Sequence, residues 1–160
     1  MVVLSLGTNL GDRFSNMDIL EKKVAKLLGG SLRKSPLYET EPIGVDESHS
    51  HYLNRIIAGE YDGTAWQLLA ETQRIESELG RVGKGTLAPR TADIDILLYN
   101  DRVIHTEHIV IPHHALFERH FEIAGVQAVV PDMRIPGMDI LFGDYEIPTS
   151  VKNQVIKEIQ

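Results

Sequence analysis

The sequence predicts an α+β sandwich with a largely antiparallel sheet. Strand-like and helix-like stretches alternate without a strict β-α-β rhythm, which disfavours a parallel, doubly wound sheet. Two amphipathic runs of helical period each carry their own start and stop signals. A short stretch near the middle alternates acidic and apolar residues with the period of a strand. At 160 residues the chain has the length of one ordinary domain. It shows no internal repeat, low-complexity tract or long linker, so a single domain over 1–160 is expected.

Residues 2–6 (VVLSL) read as a short buried strand broken by Gly7 and Gly11. Asp12 is the expected N-cap of a helix to about Leu28, with Met17, Leu20, Val24 and Leu27 at helical spacing. Gly29-Gly30 should stop it. Residues 32–39 read as one strand, and Pro36 assigns it to a sheet edge. Thr40 to Ser50, with Pro42 and Gly44, is a loop.

A strand over 52–61 and a turn at Asp62-Gly63 lead to Thr64, the expected cap of a helix reaching Leu79. Leu68, Leu69, Ile75 and Leu79 form its buried stripe, and Gly80 ends it. A Gly-containing loop from Arg81 to Thr91 precedes the strand Asp93–Tyr99. Residues 102–104 and 108–111 suit a hairpin, and a helix occupies part of 114–130. The spacing of Val151, Val155 and Ile159 predicts a last helix over 149–160.

Composition narrows the function. Hydrophobic residues make up 42% and charged residues 24%, ordinary for a soluble globular protein. No apolar run reaches the eighteen or so residues of a membrane span, and the N-terminus lacks a basic region followed by a long apolar stretch. With no cysteine there is neither a disulfide framework nor a thiolate metal site, and a cytoplasmic setting is the simplest reading. A net charge of −7 argues against a nucleic-acid binder, which neutralises many phosphates with a basic face.

The strongest chemical signal is Arg90-Thr91-Ala92-Asp93-Ile94-Asp95-Ile96-Leu97-Leu98-Tyr99. Strand alternation places Asp93 and Asp95 on one face and Ile94, Ile96 and Leu98 on the other. Two carboxylates roughly 6.5–7 Å apart along one strand repel each other unless a cation neutralises them. They can converge on paired divalent ions of the kind used in phosphate chemistry, and oxygen-only donors favour magnesium over zinc. Arg81, Lys84 and Arg90 lie just upstream, with Gly80, Gly83 and Gly85. A basic loop closing over a metal-bound polyphosphate supplies the charge neutralisation that phosphoryl transfer needs. Neither a Walker phosphate loop nor a GxGxxG fingerprint is present.

These blocks resemble the 6-hydroxymethyl-7,8-dihydropterin pyrophosphokinases of folate biosynthesis. The matching pieces run in family order: residues 5–11 (SLGTNLG), 38–44 (YETEPIG), 52–54 (YLN), and Gln73-Arg74-Ile75-Glu76 with Gly80-Arg81. Residues 89–97 (PRTADIDIL) and Ile111-Pro112-His113 follow, and then Arg119 and Phe121. The resemblance implies a ferredoxin-like α/β sandwich with helices on both faces. It also implies transfer of diphosphate from ATP to the pterin hydroxymethyl group, with AMP as by-product. Two Mg²⁺ would be held by Asp93 and Asp95. Arg81 and Arg90 would join those aspartates in catalysis; Gln73, Glu76, Lys84, Ile96, His113 and Arg119 would bind ATP.

Thr40, Pro42, Ile43, Tyr52, Asn54 and Phe121 would form the pterin pocket, where aromatic rings suit a flat heterocycle and Asn54 suits its polar edge. The partners implied are these two small molecules, with no nucleic acid or membrane, and a monomer or weak homodimer. The chain departs from the family pattern between Lys84 and Arg90, at His108 and Val110, and at Gly125-Val126-Gln127. Seven histidines raise the question of zinc, but no helical HxxxH pair or cysteine accompanies them. Two alternatives stand beside this reading: a two-metal nucleotidyltransferase or nuclease, and a non-catalytic pterin- or nucleotide-binding relative.

Overall fold

In a computed structural model of the chain, which describes residues 1–41, 51–80 and 92–159, the first strand, β1 (Val2–Thr8), is buried along its whole length. α1 (Arg13–Leu27) follows, and the Asp12 side chain accepts from Ser15 N at its start, as expected of the N-cap. Met17, Leu20 and Val24 are its buried stripe. The helix ends without help from Gly29-Gly30, which instead open β2 (Gly29–Lys34).

The single strand expected over 32–39 is two strands. β2 is followed by β3 (Leu37–Thr40), and the break falls at Ser35-Pro36. Proline has no N–H to give the ladder; buried Ser35 fills the gap, its N–H donating to Ile56 O and its Oγ accepting from Ile56 N, both at 2.9 Å. Both strands run antiparallel to β4 (Tyr52–Glu60), β2 along its far half and β3 along its beginning. Lys34 and Arg55 both reach Glu21, at 3.2 and 3.0 Å, tying α1 to the sheet.

α2 (Ala65–Glu78) starts with a capping box: Thr64 Oγ1 accepts from Gln67 N, and the Gln67 side chain accepts from Thr64 N. Its buried face is Ala65, Leu68, Thr72, Ile75 and Glu76, with Leu69 and Leu79 only partly covered. Gly80, at φ 82°, ends it in the left-handed conformation that glycine adopts freely. β5 (Asp93–Tyr99) then pairs antiparallel with the other edge of β1.

The expected hairpin is present as β6 (Ile104–His105) and β7 (Val110–Ile111). The helix expected within 114–130 is α3 (His120–Val129). The C-terminal helix is not formed: α4 (Thr149–Lys152) is one turn, and the chain then extends as β8 (Ile156–Ile159), pairing antiparallel with β3. β3 is therefore an interior strand, contrary to the edge position inferred from Pro36.

The sheet order is β5-β1-β4-β3-β8, with β2 beside β3 on the same flank of β4. The βαββαβ core in the order β5-β1-β4-β3 is the ferredoxin-like arrangement. Two apolar layers cover its faces. One gathers Met17, Leu20, Val24, Leu68 and Ile75 of α1 and α2 against Leu4, Leu6, Ile57, Ile94 and Ile96. The other gathers Ile123, Val126 and Val129 of α3 with Phe142 against Val3, Ile56, Ala58, Leu97 and Leu98. Helices thus lie on both faces, and no helix among the described residues is long and apolar enough to cross a membrane.

Candidate active site

The β1–β5 ladder aligns Gly7 with Asp93 and Ser5 with Asp95, and the β1–β4 ladder aligns Gly7 with Asn54 and Ser5 with Ile56. Residues directly opposite in an antiparallel pair share a face. Asp93, Gly7 and Asn54 therefore form one row across three strands, on the α3 side of the sheet. Tyr38 is opposite Asn54 and Thr40 opposite Tyr52, extending that face to β3. A Cβ on Gly7 would sit 3.2 Å from Asn54 Oδ1 and 3.6 Å from Tyr52 Cδ1, so glycine keeps the floor between the two aromatic-and-amide positions and the acidic strand low.

Alternation holds for the aspartates and fails beyond them. The register slips by one residue between Val3 and Leu4, opposite Leu97. Asp93, Asp95 and Leu97 keep the α3 face and Ile94 and Ile96 the other, but Leu98 joins Leu97 in the α3-side layer rather than Ile96. This bulge corrects the assignment of Leu98. Among the described residues no group of three His, Cys, Asp or Glu side chains could hold a metal ion. Two partly buried carboxylates nevertheless suit Mg²⁺, which keeps several waters and is completed by substrate phosphates.

His113 arrives from the segment after β7, just beyond the cis Ile111–Pro112 peptide. Its N–H donates to Leu97 O at 3.0 Å, fastening this segment to β5. Its Nδ1 accepts from Ala115 N at 3.1 Å, so the ring proton sits on Nε2, which is 3.8 Å from Asp95 Oδ1. Burial pushes the imidazole below its ordinary value; Asp95 pulls the other way, while His114 and Arg119 reinforce the depression. The ring is therefore neutral near pH 7, with an N–H aimed at the acidic pair.

Arg119 is the N-cap of α3, with its side chain 40% exposed and its Nη1 3.4 Å from Glu122 Oε1. Phe121, one residue into the helix, is partly buried against the α3-side layer. On β3 and β4, Asn54 Nδ2 donates to Thr40 Oγ1 at 2.7 Å, and both side chains are buried. That bond fixes the orientation of the Asn54 amide. Tyr52 beside it is partly buried.

Glu76 and Ile96 stand apart from this face. Glu76 is buried on α2, and its Oε2 accepts from Ile94 N at 2.9 Å, anchoring the start of the acidic strand. The Ile96 side chain packs in the opposite apolar layer. Gln73 is exposed on α2. Arg81, Lys84, Arg90, Pro42 and Ile43 lie outside the described residues, as do the loops that carry them. His105, in β6, and His108, in the turn after it, are exposed. One residue that the sequence reading passed over belongs here: Glu122, wholly buried on α3.

A ferredoxin-like sandwich that sets paired carboxylates and a neutral imidazole on the sheet face carrying a buried amide, with a guanidinium at the start of the helix packed on that face, defines an enzyme of phosphate-group transfer. A family model described as 7,8-dihydro-6-hydroxymethylpterin-pyrophosphokinase (HPPK) matches residues 3–131. A Bacillus subtilis protein named 2-amino-4-hydroxy-6-hydroxymethyldihydropteridine pyrophosphokinase is 38% identical over 125 residues, covering 76% of this chain and 72% of its own. The Haemophilus influenzae protein of the same name is 32% identical over 139 residues, covering 86% of each. The chain belongs to the HPPK family.

A solved Plasmodium falciparum HPPK-DHPS, wild type with pterin and p-hydroxybenzoate, superimposes with TM-score 0.69 at 17% identity. That likeness concerns the fold, over 98% of this chain and 44% of the other. The chain likewise spans 18% of the Schizosaccharomyces pombe folic acid synthesis protein fol1, to which it is 38% identical over 134 residues.

Proposed function

We propose that this chain transfers the terminal diphosphate of ATP to the hydroxymethyl oxygen of 6-hydroxymethyl-7,8-dihydropterin. The new bond joins that oxygen to the β-phosphorus, the bond from the β-phosphorus to the oxygen bridging it to the α-phosphorus breaks, and the hydroxyl proton passes to solvent, leaving AMP. The observation that carries the reading is the row on one sheet face: Asn54 with its Thr40 partner, Gly7, then Asp93 and Asp95 with His113 Nε2 3.8 Å from Asp95.

Each group has a task in this reaction. The Asn54 amide, held by Thr40, presents a fixed edge to the amino-pyrimidinone, and Tyr52 and Phe121 supply apolar ring surface for the flat heterocycle, beside Pro42 and Ile43. Asp93 and Asp95 would hold two Mg²⁺, which when bound neutralise phosphate charge and align the attacked phosphorus. His113 would donate a hydrogen bond from its Nε2–H to a phosphate oxygen without adding a charge of its own. Arg119, with Arg81, Lys84 and Arg90, neutralises the charge that grows on non-bridging oxygens. Gln73 and Ile96 serve the nucleotide from the helix and strand behind, and Glu76 does so by holding the β5 backbone.

The setting we propose is a single cytoplasmic domain over 1–160, a monomer or weak homodimer, acting on its two small substrates without nucleic acid or membrane. Incubation with ATP, Mg²⁺ and hydroxymethyl-dihydropterin is expected to yield AMP and pterin diphosphate in equal amounts. ADP in place of AMP would refute diphosphate transfer, and binding of both substrates without turnover would favour the non-catalytic alternative.

A further inference from the structure

Glu122 is a costly side chain to bury. It is 0% exposed in the first turn of α3, in an otherwise apolar face with Ile123, Val126 and Val129. Burying a carboxyl group without full pairing is strongly unfavourable. The compensation is thin: Oε1 has Arg119 Nη1 at 3.4 Å, and Oε2 has no hydrogen-bond partner among the described residues. An i,i+3 pair on one helix contributes only a few tenths of a kcal/mol when exposed. A leucine would fill the same space without the desolvation cost.

The surroundings say what the carboxyl does. The carboxyl sits in the layer that α3 packs on the sheet face carrying Asp93 and Asp95, and Arg119 reaches it from the helix start at 3.4 Å. Arg119 in turn acts on His113, which faces Asp95. The guanidinium is thus tied on one side to a group that cannot move, since Glu122 is fixed by the packing of α3 on β4.

We propose that Glu122 is a positioning residue for the transfer reaction: its buried carboxyl fixes the Arg119 guanidinium beside the acidic strand, where it meets the nucleotide phosphates. This rests on the diphosphate-transfer reading. Without Glu122, Arg119 has the rotamer freedom of a surface arginine and must be ordered by the nucleotide itself, which weakens binding.

The test compares Glu122→Leu, Glu122→Gln, Arg119→Ala and the Glu122→Leu/Arg119→Ala double variant by calorimetric titration with MgATP and, separately, with the pterin. Loss of a charge-assisted contact predicts that Glu122→Leu weakens MgATP binding by about tenfold or more while pterin affinity changes by less than about twofold. Glutamine keeps an acceptor oxygen for Arg119, so Glu122→Gln should remain within about threefold of wild type.

The double variant should bind MgATP no more weakly than Arg119→Ala alone. Thermal melting of Glu122→Leu at or above wild type would exclude a merely structural role for the loss. Additive losses in the double variant, or undiminished MgATP binding by Glu122→Leu, overturn the inference and leave the transfer reading standing. A wild-type protein that binds no MgATP overturns both.

Discussion

Replacing Gly125 with alanine should destabilise the protein, although alanine is the better helix former. A Cβ at Gly125 would lie 2.2 Å from Ile56 Cγ1 and 3.0 Å from Ile56 Cβ. Ordinary carbon contacts are about 3.5–4.0 Å, so α3 and β4 must part by more than about 1 Å, or Ile56 must leave its rotamer. Ile56 is completely buried and has nowhere to turn. Overpacking of this kind costs about 1–3 kcal/mol, and so severe an overlap belongs at the upper end. Alanine's helix propensity offsets about 1 kcal/mol of that, leaving a net loss of about 2 kcal/mol.

For a chain of this size, 2 kcal/mol lowers the melting temperature by about 4–8 °C, which circular dichroism resolves readily. A double-mutant cycle with Ile56→Ala isolates the contact. That substitution alone opens a cavity at a cost of about 2–5 kcal/mol, but it removes the Cγ1 that the new methyl group would strike, leaving only Cβ at 3.0 Å, so the pair should be less harmful than the sum by about 2–3 kcal/mol. A Gly125→Ala protein that melts at or above wild type, or strict additivity with Ile56→Ala, would refute the close-approach reasoning.

The remaining expectations concern the site. Asp93→Asn and Asp95→Asn should each lower kcat by about 100-fold or more while melting temperatures stay near wild type, because removing one of two like charges relieves repulsion; an unfolded variant would make the pair structural. Thr40→Val removes the acceptor of a buried Asn54 N–H at 2.7 Å and should cost about 1–3 kcal/mol in urea unfolding, whereas an unchanged midpoint would mean that Asn54 finds another partner. Burial pushes the Glu122 carboxyl from 4.5 up to about 8, with Arg119 opposing and Asp95 and Asp93 reinforcing. The folded state then holds this proton more tightly than the unfolded chain. The contribution to stability is complete below pH 4.5 and is lost as pH rises through about 8, at roughly 1.4 kcal/mol per pH unit and up to about 5 kcal/mol in all. Glu122→Gln should flatten that slope; parallel stability–pH curves for the two proteins would show that the group is ionised in the fold throughout.

Much of the architecture was legible because its signals are local. Asp12 and Thr64 cap the helices that their positions predicted, and Gly80 ends the second. The failures are non-local. Val151, Val155 and Ile159 recur every four residues, which suits a helix and is also even, so it equally suits one face of a strand. What decided the outcome was a partner, β3, more than a hundred residues earlier. Pro36 marked a real interruption, but the sequence could not show that Ser35 bridges it or that β8 covers β3.

In the site, alternation was enough to put Asp93 and Asp95 together. The family likeness placed Thr40 and Asn54 in one pocket, but the bond between them depends on the β3–β4 register and was not legible. Glu122 carried a signal that went unread: it shares a helical face with Val126 and Val129, at spacings of four and seven, where a charge stands out.

The bulge in β5 gives that strand one residue of slack, and the slack is lodged in its apolar half. Without Leu97 the ladder would run regularly from Gly7 to Val2, leaving Asp93, Asp95 and Tyr99 on the faces they now occupy. Without Ile94, by contrast, one aspartate would be driven into the layer beneath α1 and α2. Length changes are therefore tolerable near Leu97 and ruinous three residues earlier, so the strand can absorb an insertion or deletion event only where the carboxylates do not feel it.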